Sequence, residues 1–323
     1  MRDVDGWRAS VILPCFNSER TVAAAMESAL AQTLEGVEVV AVDDGSTDRT
    51  VEILQRYVAR DPERVRVIEQ PHSNPYAARN RGAREARGCY LAFLDSDDLW
   101  EPRKLELQLP LLDQRSQVVL CHTGGRTTGP AGNVLRSFPA QPDYQGHCFK
   151  RLLVRNRLAT SSVVVPRDLF LEMGGFDEAL AARGDWEMWT RIARRGEFTA
   201  VDLPLIRYRF HGGRMSRDTD RMRDYHLRVI QKHADLYHDE VPGLDRYLRN
   251  ARFEAHVAYA QEYLGAGRRG RALAEVARAL REKPGAAPAW KVLAKVAAGA
   301  HGVPGLRAPR KDPPMGAAPS GSQ

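Results

Sequence analysis

The sequence predicts an α/β protein built on a mainly parallel central sheet and continued by an α-helical segment. Three observations predict it. Short apolar runs alternate with amphipathic stretches through the first hundred residues, the order that gives a parallel sheet with right-handed crossovers. Three of those runs end in polar clusters, Cys15-Phe16-Asn17, Asp43-Asp44 and Asp95-Ser96-Asp97-Asp98, and ligands of such sheets bind beyond the carboxyl ends of the strands. After Met215 the pattern turns helical.

Ser10-Val11-Ile12-Leu13 reads as a strand ending at Pro14, and Ser18 as the cap of an Ala-rich helix running to about Gln32. Residues 37–42 form a second strand, stopped by Asp43-Asp44-Gly45-Ser46. Ser46 or Thr47 caps a helix with Val51, Ile53, Leu54 and Val58 on one face. Val65 to Ile68, Tyr76 to Ala86 and Tyr90 to Leu94 follow as strand, helix and strand. Beyond Gln108 the pattern weakens. Gly124-Gly125, Gly129-Pro130 and Gly132-Asn133 mark turns between antiparallel strands such as Ser116 to His122. Ala159 to Val165 is a strand candidate, and Asp168 to Met173 and Asp185 to Arg195 are helices closed by glycine. Phe198 to Val201 and Leu205 to Phe210 read as two late strands. The domains expected are 1–215 for the α/β body, 216–300 for a helical extension and 301–323 for a Pro-, Gly- and Ala-rich disordered tail.

The net charge of +7 is uneven. Val241 to Gln323 holds 14 Lys and Arg against 6 Asp and Glu, while the rest of the chain holds 34 against 35. The basic part could dock on an anionic membrane face or a protein partner, or be a solvated helical surface. It lacks the interleaved aromatics of a nucleic-acid site, so no nucleic acid is expected. No run reaches the roughly 18 apolar residues of a membrane span, and the first six residues carry no apolar signal region. The four cysteines, Cys15, Cys89, Cys121 and Cys148, form no CxxC pair. A zinc cluster or disulfide framework is therefore not expected, and a reducing cytoplasm is.

Asp95-Ser96-Asp97 places two carboxylates at i and i+2 in a turn after a buried strand. Such oxygen ligands suit Mg²⁺ or Mn²⁺, which would bridge a diphosphate and neutralise a departing nucleoside diphosphate. The bland alternative is a pair of turn carboxylates capping the helix near Trp100-Glu101-Pro102. Asp44 could accept from a pyrimidine imide N–H or simply form an Asx-turn with Gly45. Arg79, beside Arg81 and Arg84, could belong to a solvated face, and Asp185, at a helix start, could be an N-cap.

The stretches Val11 to Asn17, Val42 to Asp48, Ala77 to Gly82 and Leu94 to Asp98, then Gly174-Gly175-Phe176-Asp177-Glu178 and Gly184-Asp185-Trp186-Glu187, occur in that order. Together they resemble the family 2 glycosyltransferases of the GT-A (Rossmann-like) fold, over roughly residues 8–215. The resemblance implies a metal-dependent, inverting transfer of a sugar from a nucleotide-diphosphate donor, a UDP-sugar in preference, to a hydroxyl acceptor of a glycan, lipid-linked glycan or natural product, as in polysaccharide biosynthesis. It implies that Pro14, Phe16, Asn17, Asp43, Asp44, Arg79, Asp95 and Ser96 line the nucleotide site. Asp97 would be the principal metal ligand, with His211 a second, and Asp185 the general base in preference to Glu187. Residues 253–286 resemble a tetratricopeptide repeat, with Ala260, Tyr263, Gly267, Ala272, Ala279 and Pro284 at its preferred positions.

The chain departs from the family pattern at three places. Gly184 precedes Asp185 where many members carry an acid, Ser73-Asn74-Pro75-Tyr76 replaces a Gly-rich stretch, and the Gln-x-x-Arg-Trp motif of processive synthases is absent. A nucleotidyltransferase is the enzyme alternative, but no Gly-rich phosphate loop with a Lys occurs near the N-terminus. A non-catalytic scaffold is the other, and the acids at Asp97 and Asp185 argue against it. Acceptor specificity is expected between Thr123 and Thr160.

Overall fold

The computed structural model describes residues 6–129, 132–209 and 218–298. Strands β1 (Ala9–Cys15), β2 (Val37–Asp43), β3 (Val65–Glu69) and β4 (Tyr90–Phe93) alternate with helices α1 (Val22–Leu30), α2 (Thr50–Arg60) and α3 (Pro75–Glu85). These four strands pair in parallel in the order β3-β2-β1-β4. Their register brings the polar strand ends together, with Cys15 beside Asp43 and Ile12 beside Phe93.

β1 and β2 are buried along their whole length, as strands covered on both faces must be. Ala9, Val11, Leu13 and Cys15 point into the core that holds Val22, Ala25 and Met26 of α1 and Leu54 of α2. Ile12 points the other way, as period-two alternation requires. It meets α3 at Gly82, where a Cβ would sit 2.9 Å from Ile12 Cγ2, so glycine sets how closely α3 approaches the sheet.

The sheet continues through β8 (Val164–Pro166), β6 (Val118–Thr128), β9 (Glu197–Arg209) and β5 (Leu99–Trp100), with β7 (Val134–Phe138) paired to β6. β8 runs antiparallel to β4 and β6, whereas β6 and β9 are parallel. Helices α4 (Lys104–Asp113), α5 (Phe149–Leu152), α6 (Arg167–Glu172) and α7 (Gly184–Ile192) complete this region.

Several elements differ from the sequence expectation. Gly124-Gly125 is no turn: β6 runs through it, with a register shift against β9 at Thr123–Gly125. A Cβ at Gly124 would lie 2.7 Å from Phe138 O, and one at Gly125 2.4 Å from Ile206 Cγ1, so these glycines serve close packing. The expected strand at Ala159–Val165 opens as a 3-10 turn, Thr160–Ser162, before the short β8. The two late strands are one, β9. The start of α2 is held by Asp48, whose Oδ1 accepts from Thr50 N at 3.0 Å, and α1 begins at Val22, with Ser18 O accepting from its N–H.

The chain forms two compact units that divide after Ala255. α8 (Thr219–Tyr237) and the first part of α9 (Leu244–Gly265) belong to the first unit. The second holds the rest of α9, α10 (Arg269–Glu282) and α11 (Ala287–Ala297). Its core includes Ala260, Tyr263, Ala272 and Ala279, four of the repeat positions. Inside it His256 Nδ1 lies 2.7 Å from Glu275 Oε2, both residues buried. No helix among the described residues is long and apolar enough to cross a membrane. All four cysteines are free thiols.

Candidate active site

The site forms where β1, β2 and β4 end. Asp95, Asp97 and Asp98 each offer a carboxylate oxygen within 4.8 Å of the others. Asp98, absent from the expected ligand set, completes the cluster. It is buried, with Oδ2 accepting from Ser161 Oγ at 2.7 Å and Oδ1 from Arg209 N at 3.1 Å. Three carboxylates this close repel one another without positive charge between them. Arg79 of α3 supplies part of it through an ion pair with Asp95. The remaining demand and the all-oxygen donor set fit Mg²⁺ or Mn²⁺.

Arg79 is 6% exposed, which excludes the solvated-face alternative. Its guanidinium lies 5.2 Å from the centre of the Tyr76 ring. Burial alone would pull it down, but Asp95 and its other acidic neighbours raise its pKa, so it stays a cation. α3 can place both residues because Asn74 caps it, Oδ1 accepting from Tyr76 N at 3.0 Å and Ala77 N at 3.1 Å, with Pro75 at the first position. Tyr76 and Arg79, three apart, then share one face.

Tyr76 carries the link to Asp185. Its hydroxyl donates to Asp185 Oδ1 at 3.3 Å, and burial pushes that hydroxyl well up, so it remains a donor. Asp185 Oδ2 accepts from Asn156 Nδ2 at 3.0 Å and from Thr160 Oγ1 at a longer 3.5 Å. Burial raises the Asp185 pKa, partly offset by Arg183 and Arg79. The N-cap of α7 is Arg183, at φ 60°. With Asn17 at φ 47°, it makes two non-glycine residues at positive φ among the described residues, and both lie in this region. Such strain persists only where surrounding structure imposes it.

Glu187, the second candidate base, is fully buried. It accepts from Arg191 Nε at 2.8 Å and pairs with Lys232 Nζ at 2.9 Å. It is a structural anchor of α7. Arg191 also donates to Met173 O and, at 2.6 Å, to Gly175 O, and Asn80 Oδ1 accepts from Phe176 N at 2.8 Å. The Gly174–Glu178 stretch is thus clamped between α3 and α7.

At the β2 end the structure gives the turn contact to Asp43 and leaves Asp44 out of it. Asp43, not Asp44, makes the turn, Oδ2 accepting from Ser46 N at 2.9 Å. Asp44 is 2% exposed and accepts from Gln70 Nε2 at 2.7 Å and Ser73 N at 3.0 Å, both on Oδ1. Its Oδ2 and Asp43 Oδ1 are buried without a well-formed hydrogen bond, although His72 Nδ1 lies 3.0 Å from Asp44 Oδ2. His72 stacks on Phe16 at 4.1 Å between centroids. Asn17 Oδ1 accepts from Thr47 N at 2.8 Å and stitches the β1 and β2 ends together. Ser96 Oγ meets Ser18 Oγ at 2.8 Å. Pro14 is buried within β1 opposite Val42. His211 lies outside the described residues.

The structure therefore gathers Asp95, Asp97, Arg79 and Asp185 in one network through Tyr76, with Ser96 beside it, bonded to Ser18. Asn17, Asp43, Asp44 and Phe16 form an adjoining layer. Sequence reasoning missed Tyr76, Asn156, Ser161 and the place of Asp98 in the acidic cluster. Asp98 alone carried a signal, its place in the Asp95–Asp98 run.

This fold, a curled mostly parallel sheet with an acidic turn at its carboxyl edge, is that of the GT-A proteins. A mannosyltransferase from Pyrobaculum calidifontis, solved with GDP-Man and Mn²⁺, superposes with a TM-score of 0.61 at 20% identity, over 90% of this chain and 79% of that one. S. aureus TarS 1-349 with UDP-GlcNAc superposes with a TM-score of 0.55 at 16% identity, over 90% and 92%. Residues 10–170 match the family described as glycosyl transferase family 2. An uncharacterized glycosyltransferase of Haemophilus influenzae is 31% identical over 216 residues, 65% of this chain and 71% of that protein. One of Rickettsia felis is 31% identical over 206 residues, 64% of this chain but 33% of that protein. The chain belongs to glycosyl transferase family 2. It spans about a third of the length of the Rickettsia relative.

Proposed function

We propose that this chain transfers a sugar from a nucleoside diphosphate donor, with uridine diphosphate preferred, to a hydroxyl of an acceptor, with inversion at the sugar carbon. One observation carries the reading. The buried carboxylate of Asp185 and the Asp95–Asp98 cluster are linked on one side through Tyr76 and Arg79 and on the other through the adjacent Thr160 and Ser161.

Asp185 takes the proton of the acceptor hydroxyl as that oxygen attacks. Its raised pKa makes it a stronger base than an exposed aspartate. Arg79 holds Asp95 in place. Asp97, with Asp95 and Asp98, would hold Mg²⁺ or Mn²⁺, which supplies charge neutralisation for the departing diphosphate. A single base set against the leaving group favours direct displacement, hence inversion, by the geometry inverting hydrolases use with water. Asp44 Oδ2, buried without a well-formed hydrogen bond and 3.0 Å from His72 Nδ1, would accept the imide N–H of uracil in place of His72. The donors bound by the S. aureus and Pyrobaculum proteins, UDP-GlcNAc and GDP-Man, define the donor panel.

Asp185→Asn tests the reading. Stabilisation by UDP with Mn²⁺, read as a rise in melting temperature, is retained. UDP release in the presence of acceptor falls about 10²–10⁴-fold. Unchanged turnover would remove Asp185 as the base, and no stabilisation by any nucleoside diphosphate would remove the donor class.

A further inference from the structure

The segment from Asn156 to Ser161 touches both halves of the site. At one end Asn156 Nδ2 donates to Asp185 Oδ2 at 3.0 Å. The amide orientation is dictated by its other side, because Asn156 Oδ1 accepts from Leu158 N at 2.9 Å, leaving only N–H donors to face the carboxylate. At the other end Ser161 Oγ donates to Asp98 Oδ2 at 2.7 Å and accepts from Asp95 N at 3.2 Å. One hydroxyl thus fixes two members of the acidic cluster. The segment is itself anchored from beneath. Trp100 Nε1 donates to Ser161 O at 2.7 Å and Gln108 Nε2 to Ser162 O at 3.0 Å, and Ser161 and Ser162 are each 1% exposed.

Resting on the function just proposed, we propose that Asn156 and Ser161 are positioning residues for opposite halves of the site: Asn156 for Asp185, and Ser161 for the carboxylates at Asp95, Asp97 and Asp98. Neither touches the reacting atoms. Asn156 acts by donating to the charged form of Asp185, which favours ionisation against the effect of burial. The other groups facing Asp185 are Tyr76 and Arg79 from α3, Arg183 ahead of it on its own helix, and the Thr160 hydroxyl. Ser161 acts by holding Asp98 and the Asp95 backbone at a spacing that suits one cation. Loss of such an outer partner costs metal affinity about 10–100-fold.

Two readouts that need no turnover separate the roles, both on the full chain. Mn²⁺ binding is followed by electron paramagnetic resonance. The ionisation midpoint of Asp185 is followed by carboxyl ¹³C NMR and assigned by difference with Asp185→Asn. Ser161→Ala weakens Mn²⁺ binding about tenfold or more, Ser161→Cys weakens it less because a weak donor remains, and neither moves the Asp185 midpoint. Asn156→Ala raises that midpoint, Asn156→Asp raises it further by adding a like charge, and Mn²⁺ affinity holds. Variants that shift both readouts together, or neither, overturn the assignment. A parent chain that binds no Mn²⁺ overturns the Ser161 role along with the metal. Both responses in a chain that transfers no sugar from any donor would overturn the proposed function alone.

Discussion

Asp185 concentrates the conflict between stability and function in this site. Burial disfavours its charge and raises its pKa, so the folded chain binds the proton more tightly than the unfolded one. The stabilising contribution is complete below the ordinary aspartate value of about 3.9. It is lost as pH rises through the folded value. Asp185→Asn removes this titration. The melting temperature of the variant relative to the parent is therefore expected to climb between acid and neutral pH, while transfer collapses. A relative stability that is flat with pH would mean that Asp185 is not held in a disfavoured charge state. Arg79 shows the opposite balance, since its charge is matched by Asp95 and its position fixed by α3.

At the scale of elements, α8 braces α7, the helix that carries Asp185. Lys232 pairs with Asp177 at 2.7 Å and with the buried Glu187 at 2.9 Å, tying α8 to α7 and to the loop after Gly175. Lys232→Met leaves Glu187 with Arg191 alone. An expected loss of about 1–3 kcal/mol follows from leaving a buried carboxylate short of a partner. Urea unfolding reads it, and an unchanged midpoint would show that Arg191 suffices. Elements also mark where sequence reading succeeds. β1 to β4 and α1 to α3 were legible because short apolar runs alternating with amphipathic stretches are local signals, although the caps expected at Ser18 and at Ser46 or Thr47 fell elsewhere. β6 was misread at Gly124-Gly125 because glycine in a strand and glycine in a turn look alike along the chain. Only the approach of Phe138 and Ile206 distinguishes them.

Across the whole molecule, two histidines couple stability to acid. His122 and His233 are both fully buried, and burial pushes them down to about 4 and about 3. Their unfolded value is near 6.5, so the unfolded chain takes up protons that the folded chain refuses. The stability they contribute is intact above about pH 6.5 and is lost as pH falls through about 4 for His122 and about 3 for His233. The melting temperature is expected to drop across this window, and His233→Leu to flatten the drop. An equal drop in the variant would assign it to other groups.

The excess of basic residues after Val241 gives a second whole-molecule expectation. Binding to anionic vesicles, measured by flotation, should rise with phosphatidylserine content and fall with salt. Binding independent of both would dismiss the membrane role.

The sequence by itself determined the fold class, the family and the acidic residues, because periodicity, strand-end motifs and their order are written along the chain. It could not say that Asp43 rather than Asp44 closes the turn, that Glu187 is an anchor rather than a base, or that Asn156 and Ser161 stand against carboxylates far from them in sequence. Those assignments belong to the tertiary structure. Hydrogen bonds and burial depend on which groups the packed sheet brings within about 3 Å of each other, and no local pattern encodes a partner that folding alone supplies.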